Sequence, residues 1–315
     1  MRSVSRGTAA ARLAAPVLAG MVLAVLPAPA PTLAAAPAQP SPIHLGVIAE
    51  EPNEPDRMLR EYGDLVARLR ERLAPASVAV GDLVVARDLD DLSQRLARGD
   101  VDFVIETVFP TLVLQERSRS LDPALVVFRR GQREYRSVFF ARRDAPYRSL
   151  GDLRGRTLVL QALRSTSAFA LPKAELARAG IVLLPADDPQ AGRGNVRYVL
   201  AGAEINQAIW VLHGKGDAGA FNEADWAALP QKVRSRLRVF HETRPIIRGL
   251  LSFRTGLAAS VRTQVEEALL KLDGDEAGRA ALERASGTTR FERLTAADRR
   301  DLRGWATILR PAPSR

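Results

Sequence analysis

The sequence predicts an α/β protein with two similar lobes. Apolar runs that fit strands alternate with amphipathic stretches that fit helices, and this order is typical of largely parallel sheets. The pattern occurs twice, because residues 98–104 and 214–221 both combine a helix-ending glycine, an aspartate and an apolar strand. Two lobes that face each other across a cleft explain the repetition, and a single wide sheet is the alternative.

The elements of the first half follow from apolar spacing. In the first helix Leu59, Tyr62, Val66, Leu69 and Leu73 step by three and four, which gives one apolar stripe. Gly99 ends the second helix. The predicted elements are a strand at 43–49, a helix at 56–73, a β-rich stretch at 78–86, a helix at 88–98 and a strand at 101–105.

The second half repeats this order and ends in a tail at 261–309 that is predicted to be helical from its leucine spacing. Residues 244–253 return the chain between the lobes. The other predicted elements are strands at 136–142, 157–161, 196–200 and 217–221, a short helix at 150–155, and helices at 168–179 and 203–212.

Residues 1–38 have the pattern of a secretory signal. Three arginines precede an apolar stretch at 13–26, which is shorter than the roughly 20 residues of a membrane span. Ala36-Pro37-Ala38 offers a cleavage site, although a retained N-terminal anchor is the alternative. Cleavage leaves 43 basic and 36 acidic residues, so the formal net charge falls from +10 to +7. We therefore expect an exported, periplasmic protein.

Composition excludes several kinds of chemistry. Of 315 residues 46% are hydrophobic and 26% charged, which is typical of a soluble globular protein. The absence of cysteine excludes disulfides, thiolate metal sites and cysteine nucleophiles. His44, His213 and His241 are too far apart in sequence to predict a metal site. We expect no metal and no cofactor.

The sequence also lacks the signatures of common enzymes and of nucleic-acid binding. No G-x-S-x-G or H-E-x-x-H pattern occurs, and the glycines around Lys215 lack the spacing of a phosphate-binding loop. Basic residues alternate with acidic ones, as on solvated helix faces. We expect neither an enzyme nor a nucleic-acid partner.

Polar residues follow the strands at the edge where ligands of α/β proteins bind. Glu106 and Thr107 follow one strand, and Asn222 and Glu223 follow another. The run Ser165-Thr166-Ser167 lies at a predicted helix start, where hydroxyls, backbone N–H groups and the helix dipole favour an anion. Simple N-capping by one hydroxyl is the alternative.

Residues 135–142, residues 149–156 and the Ser165–Ser167 run with Pro172 resemble the phosphate, phosphite and phosphonate-binding proteins of ABC importers. The resemblance implies a two-lobed, type II periplasmic binding protein fold. Each lobe would be a mixed, mainly parallel sheet flanked by helices, joined by a two-segment hinge. Lobe 1 would comprise 43–134 and 246–315, and lobe 2 would comprise 135–245.

The resemblance also implies a function and a site. The protein would be a monomer that captures a small phosphorus oxyanion and passes it to an ABC permease in the inner membrane. The implied ligand-binding residues are Ser165, Thr166, Ser167, Glu106, Thr107, Tyr135, Glu204, Asn222, Glu223 and Asp225. A sensor with a signalling partner is the first alternative, and an exported hydrolase is the second.

Two departures from the family pattern bear on the ligand. Ala168 stands where the family has glycine after the hydroxyl run, and Ala203-Glu204 stands where the family often has a histidine. The identity of the phosphorus oxyanion is therefore left open between phosphonate, phosphite and phosphate.

Overall fold

The computed structural model describes residues 41–49 and 55–309. The predicted signal and the loop at 50–54 lie outside the described residues. The strands are β1 (Leu45–Ile48), β2 (Val84–Ala86), β3 (Phe103–Glu106), β4 (Leu121–Arg129), β5 (Glu134–Tyr135), β6 (Ser137–Arg142), β7 (Thr157–Leu160), β8 (Leu183–Pro185), β9 (Val196–Leu200), β10 (Ala218–Asn222), β11 (Leu237–Glu242), β12 (Ile246–Ile247), β13 (Leu250–Arg254) and β14 (Thr288–Arg293). The α-helices are α1 (Pro55–Leu73), α2 (Leu89–Arg98), α3 (Val108–Ser118), α4 (Leu171–Arg178), α5 (Glu204–Leu212), α6 (Glu223–Ala228), α7 (Gln231–Arg234), α8 (Ala259–Leu270), α9 (Glu276–Arg284) and α10 (Ala296–Ile308).

The strands form two six-stranded sheets rather than one wide sheet. The order is β14-β4-β13-β3-β1-β2 in the first and β11-β6-β10-β7-β9-β8 in the second. In the first sheet β1 is parallel to β2 and β3, and in the second β7 is parallel to β9 and β10. Antiparallel strands complete each sheet. The predicted two-lobed α/β fold is confirmed, and we call the first sheet with its helices lobe 1 and the second lobe 2.

Two chain segments connect the lobes. The chain leaves lobe 1 after β4 and returns before β13, and the short strands β5 and β12 pair antiparallel on these two passages. Tyr135 faces Ile246, and Glu134 faces Ile247. This pair of strands is the two-segment hinge of the predicted fold.

Helix α1 buries a stripe that differs slightly from the predicted one. Tyr62, Leu69 and Leu73 are buried as expected, but Leu59 is 47% exposed, so its place in the predicted stripe is wrong. Met58 is buried instead. The buried stripe therefore begins at Met58 and otherwise follows the predicted positions, and it packs against α8, α9 and the first sheet.

The repeated glycine–aspartate segment has the same structural role in both lobes. Asp102 precedes β3 and accepts the backbone N–H of His44 at 3.0 Å. Asp217 precedes β10 and accepts the backbone N–H of Thr157 at 2.8 Å. Each carboxylate thus fixes the start of a neighbouring parallel strand. A second bond holds each carboxylate, from Arg254 in lobe 1 and from Tyr147 in lobe 2.

We expect Asp102→Ala and Asp217→Ala each to lower the free energy of unfolding by about 2 kcal/mol, because a part-buried N–H and a second donor both lose their acceptor. Urea unfolding measures this. Asp144→Ala is the control, since the Asp144 side chain is 84% exposed beside Arg142, and it should change stability by less than about 0.5 kcal/mol. Equal, small effects in all three variants would contradict the shared role.

The tail is less helical than predicted. Helices α8, α9 and α10 lie within the stretch expected to be helical, but Thr288–Arg293 forms β14. It pairs antiparallel with β4 at the edge of the first sheet. Only Thr288 and Phe291 of this strand are buried. Such a short edge strand carries too few apolar residues to be distinguished from a helix by periodicity.

Candidate functional site

The two lobes are joined directly by the hydroxyl of Thr166. It donates to Thr107 Oγ1 at 2.8 Å and accepts the backbone N–H of Phe109 at 3.0 Å. Thr107 is the N-cap of α3, so the Phe109 N–H is one of the groups left without a partner inside the helix. A single lobe 2 hydroxyl therefore binds the start of a lobe 1 helix.

The Ser165–Ser167 segment forms a wide turn before its helix. Ser165 caps this turn by accepting the Ala168 N–H at 3.1 Å. Residues Thr166–Ala170 form a single π-type turn, and Ala168 departs from helical geometry with φ −106° and ψ 16°. Helix α4 begins at Leu171, so the start predicted at 168 is wrong. Pro172 fits the first turn of α4, where its missing N–H has no cost.

Tyr135 lies buried in the hinge next to this turn. Burial raises the pKa of its phenol, while the charge of Arg248 and a hydrogen bond with Thr166 partly oppose the rise. The phenol is consequently protonated at neutral pH. Hydrogen bonds with the side chains of Thr166 and Ser167 both lower the pKa of Tyr135, so the phenol is a third donor beside these two hydroxyls.

The carboxyl end of β10 contributes Asn222, Glu223 and Asp225. Asn222 caps α6 by accepting the Asp225 N–H at 3.0 Å, and its amide donates to the Asp225 carboxylate. Burial raises the pKa of Asp225, although Arg248 and Arg130 oppose the rise. Glu223 pairs with Arg136 at 3.1 Å. Asn222 and Asp225 thus lie near Arg130 and Arg248. Glu223 is instead paired with Arg136.

Glu106 and Glu204 lie near the carboxyl ends of strands in lobe 1 and lobe 2, respectively. Neither has a described hydrogen bond to the hydroxyls of Thr107, Thr166 or Ser167. Glu106 is the last residue of β3 and is next to Thr107. Glu204 lies in the first turn of α5, which follows β9. The structure brings together Thr107, Tyr135, Thr166 and Ser167. Asn222 and Asp225 approach this group through Arg248, and the described side-chain bond of Ser165 is the local cap of Ala168.

Sequence reasoning missed three arginines at this junction. Arg129 ends β4, Arg130 follows it with a positive φ of 52°, and Arg248 lies between β12 and β13. The Arg248 guanidinium stacks on the ring of Tyr135, 4.3 Å from its centre. Burial lowers the pKa of Arg248, as do the like charges of Arg129 and Arg130. In the sequence, two adjacent arginines, Arg129 and Arg130, directly follow an apolar run, and this pattern could have indicated a basic site at the end of a strand.

The part of the chain that the structure describes contains neither a candidate metal site nor a helix that could span a membrane. No group of three or more histidine, aspartate or glutamate side chains there is arranged to hold a metal ion. None of the helices in 55–309 is both long and apolar enough to cross a membrane.

Comparison with known proteins gives the family. Residues 48–299 match the family of periplasmic substrate-binding proteins of phosphonate ABC transporters. The chain belongs to this family. The predicted resemblance is therefore confirmed, and so is the prediction of a binding protein rather than an enzyme. No similar protein was found among curated proteins.

Solved structures agree with this assignment. XAC2383 from Xanthomonas citri bound to chloride is 33% identical over 85% of this chain and 96% of its own, with a TM-score of 0.78. The same protein bound to ATP gives a TM-score of 0.77. PhnD1 from Prochlorococcus marinus in complex with methylphosphonate is 16% identical over 84% of this chain and 97% of its own, with a TM-score of 0.63. The type II periplasmic binding protein fold is confirmed.

Proposed function

We propose that this member of the family captures a small phosphorus oxyanion, a phosphonate, phosphite or phosphate, between its two lobes for an ABC permease. This proposal rests on the hydrogen bonds that the Thr166 hydroxyl forms with Thr107 Oγ1 and with the Phe109 N–H, which connect the two lobes. The lobes that close would be 43–134 with 246–315, and 135–245. The protein would act as a monomer, which light scattering of the mature chain measures.

The junction is rich in donors that suit an oxyanion. Hydroxyls of Ser165, Thr166 and Ser167, the phenol of Tyr135 and the Phe109 N–H all approach one region. Each hydrogen bond to a charged group contributes about 1.5–3 kcal/mol. The N-terminus of α3 adds its dipole, which favours negative charge.

The same junction couples binding to closure. A ligand oxygen that accepts the Phe109 N–H would replace the Thr166 hydroxyl there, and Thr166 could then donate to the ligand. The ligand would bind both lobes at once and favour the closed arrangement. The hinge strands β5 and β12 are the segments that would bend.

Three similar structures hold anions, which agrees with an anionic ligand here. Two forms of the Xanthomonas citri protein hold chloride and ATP, and the Prochlorococcus marinus protein holds methylphosphonate. These ligands differ widely in size, so the ligand of this chain must be found by measurement.

Thermal unfolding with a ligand panel tests the proposal. The mature chain is unfolded and refolded to remove carried-over ligand, then heated with phosphate, phosphite, methylphosphonate, 2-aminoethylphosphonate or sulfate. A ligand at 100 times its Kd adds about 2.7 kcal/mol of stability, which raises Tm by several degrees. We expect a rise with at least one phosphorus oxyanion. No rise with any of them would contradict the proposed ligand class.

A further inference from the structure

We propose that the natural ligand carries a second anionic group, a carboxylate or a second phosphoryl group, which binds Arg129 and Arg248. This inference rests on the proposed function, because it assigns the chemistry of the remainder of the same phosphorus ligand. It predicts a preference for phosphonocarboxylates or diphosphates over simple alkylphosphonates and over aminoalkylphosphonates.

Arg129 and Arg248 are two part-buried arginines whose side chains form no hydrogen bond or ion pair with the residues that the structure describes. The Nε atoms of both are buried without a hydrogen-bond partner. Neither guanidinium forms an ion pair with a carboxylate among the residues that the structure describes. A part-buried charge without a partner is unfavourable in free energy, so a bound anion would relieve it.

Other arginines of the chain differ in this respect. Arg133 pairs with Glu292 at 3.0 Å and with Asp298 at 2.8 Å. Arg254 also has a buried, unpartnered Nε, but its Nη2 pairs with Asp102 at 2.8 Å. An unpartnered Nε alone is therefore not the signal. The signal is a guanidinium that forms no ion pair with a described carboxylate and has a buried, unpartnered Nε, present twice at one place.

The local charge is positive. Arg129, Arg130 and Arg248 act on one another as like charges, since two of them lower the pKa of the third. Asp225 is the carboxylate that faces them, and it pairs with Arg130 at 3.6 Å. Asp225 also acts on Arg248, so a single carboxylate faces three guanidinium groups and the local charge stays positive.

The position of Arg248 connects this charge to the oxyanion site. Its guanidinium stacks on the ring of Tyr135, and the hydroxyl end of the same ring contacts Thr166 and Ser167. An oxyanion bound to the Thr166 and Ser167 hydroxyls would therefore be separated from the Arg248 guanidinium by about the length of the Tyr135 ring. A second anionic group joined to it by a short linker could reach Arg248.

An ammonium group would be disfavoured in this place. The amine of an aminoalkylphosphonate would meet the guanidinium groups of Arg129 and Arg248, and like charges repel. The carboxylates of Asp225 and Glu223 already pair with Arg130 and Arg136.

Isothermal titration calorimetry tests the inference with methylphosphonate, phosphonoacetate, diphosphate and 2-aminoethylphosphonate. For the refolded wild type we expect phosphonoacetate or diphosphate to bind at least 10-fold more tightly than methylphosphonate, and 2-aminoethylphosphonate to bind more weakly. Arg248→Gln should abolish the advantage of the second anionic group, so that phosphonoacetate and diphosphate bind this variant no more tightly than methylphosphonate does.

Arg244→Gln is the matched control. It removes the same charge four residues away, from a guanidinium that also stacks on an aromatic ring, that of Trp305 at 3.7 Å, and that pairs with Asp301. It should leave all four affinities unchanged. If Arg248→Gln does not fold, as judged by circular dichroism, Arg129→Gln gives the same test and Arg248→Lys should retain part of the preference.

The outcomes separate this inference from the function on which it rests. Failure of the wild type to bind any phosphorus anion contradicts the proposed function itself. Binding of methylphosphonate with no gain from a second anionic group, or tighter binding of 2-aminoethylphosphonate, overturns this inference alone. A preference that survives both Arg248→Gln and Arg129→Gln also overturns it.

Discussion

Thr166→Val is expected to weaken the binding of methylphosphonate by about 100-fold. Valine keeps the shape of threonine but cannot donate to an oxyanion. A lost hydrogen bond to a charged group costs about 1.5–3 kcal/mol, and 2.7 kcal/mol corresponds to 100-fold. The same change removes the bond between Thr166 and Thr107 that joins the lobes. Calorimetric titration of the refolded variant measures the loss.

Two further variants make this result specific. Thr263→Val makes the same substitution in α8, where the hydroxyl donates to the Ala259 carbonyl on an exposed face, and it should leave affinity unchanged. Thr166→Ser keeps the hydroxyl and should retain most of the affinity. A Thr166→Val protein that folds and binds within threefold of the wild type would show that this hydroxyl does not hold the ligand.

Gly219→Ala is expected to lower the free energy of unfolding by about 3 kcal/mol. Gly219 is the second residue of β10 and lies directly opposite Phe140 of β6. A Cβ added there would lie 2.9 Å from two atoms of the Phe140 ring and would also meet the tip of that ring. Overpacking of a tight core costs about 1–3 kcal/mol, and more where nothing can move.

The ring of Phe140 has little freedom to give way. It packs against Phe221, with ring centres 4.5 Å apart, and against Trp226 at 5.8 Å. About 3 kcal/mol should lower Tm by roughly 6–12 °C in a protein of this size. Gly63→Ala is the control, because a Cβ in that position of α1 has open space and alanine favours a helix. It should be neutral or slightly stabilising, and a similar loss in both variants would exclude the ring contact as the cause.

Much of the fold could be predicted because many helix ends and strand starts depend on residues that are close together in the sequence. The stop of α2 at Gly99 follows from one residue with a positive φ of 83°. The equivalence of the segments before β3 and β10 was visible as a repeated glycine–aspartate pattern, and both aspartates hold a neighbouring strand. The hydroxyl run at Ser165 was found because its three residues are contiguous.

The remainder of the site depends on contacts between distant parts of the chain. Thr166 finds its partners 57 and 59 residues away, in the other lobe. Arg129 and Arg248 are far apart in sequence. They lie near each other because the two segments that connect the lobes bring the end of β4 close to the end of β12. Arginine is common in this sequence and is usually solvated, so no local pattern distinguishes these two. The wide turn at Thr166–Ala170 likewise depends on tertiary contacts, such as the bond from Ser137 to the Ser167 carbonyl.

We propose that an oxyanion binds between the start of α3 and the Ser165–Ser167 turn. Backbone amide chemical shifts of the isotope-labelled, refolded chain, recorded during titration with methylphosphonate, test it most directly. The predicted result is a set of large, saturable shifts centred on Phe109 in lobe 1 and on Ser167 and Ala168 in lobe 2. Saturable shifts confined to one lobe, or centred away from both segments, would contradict the site.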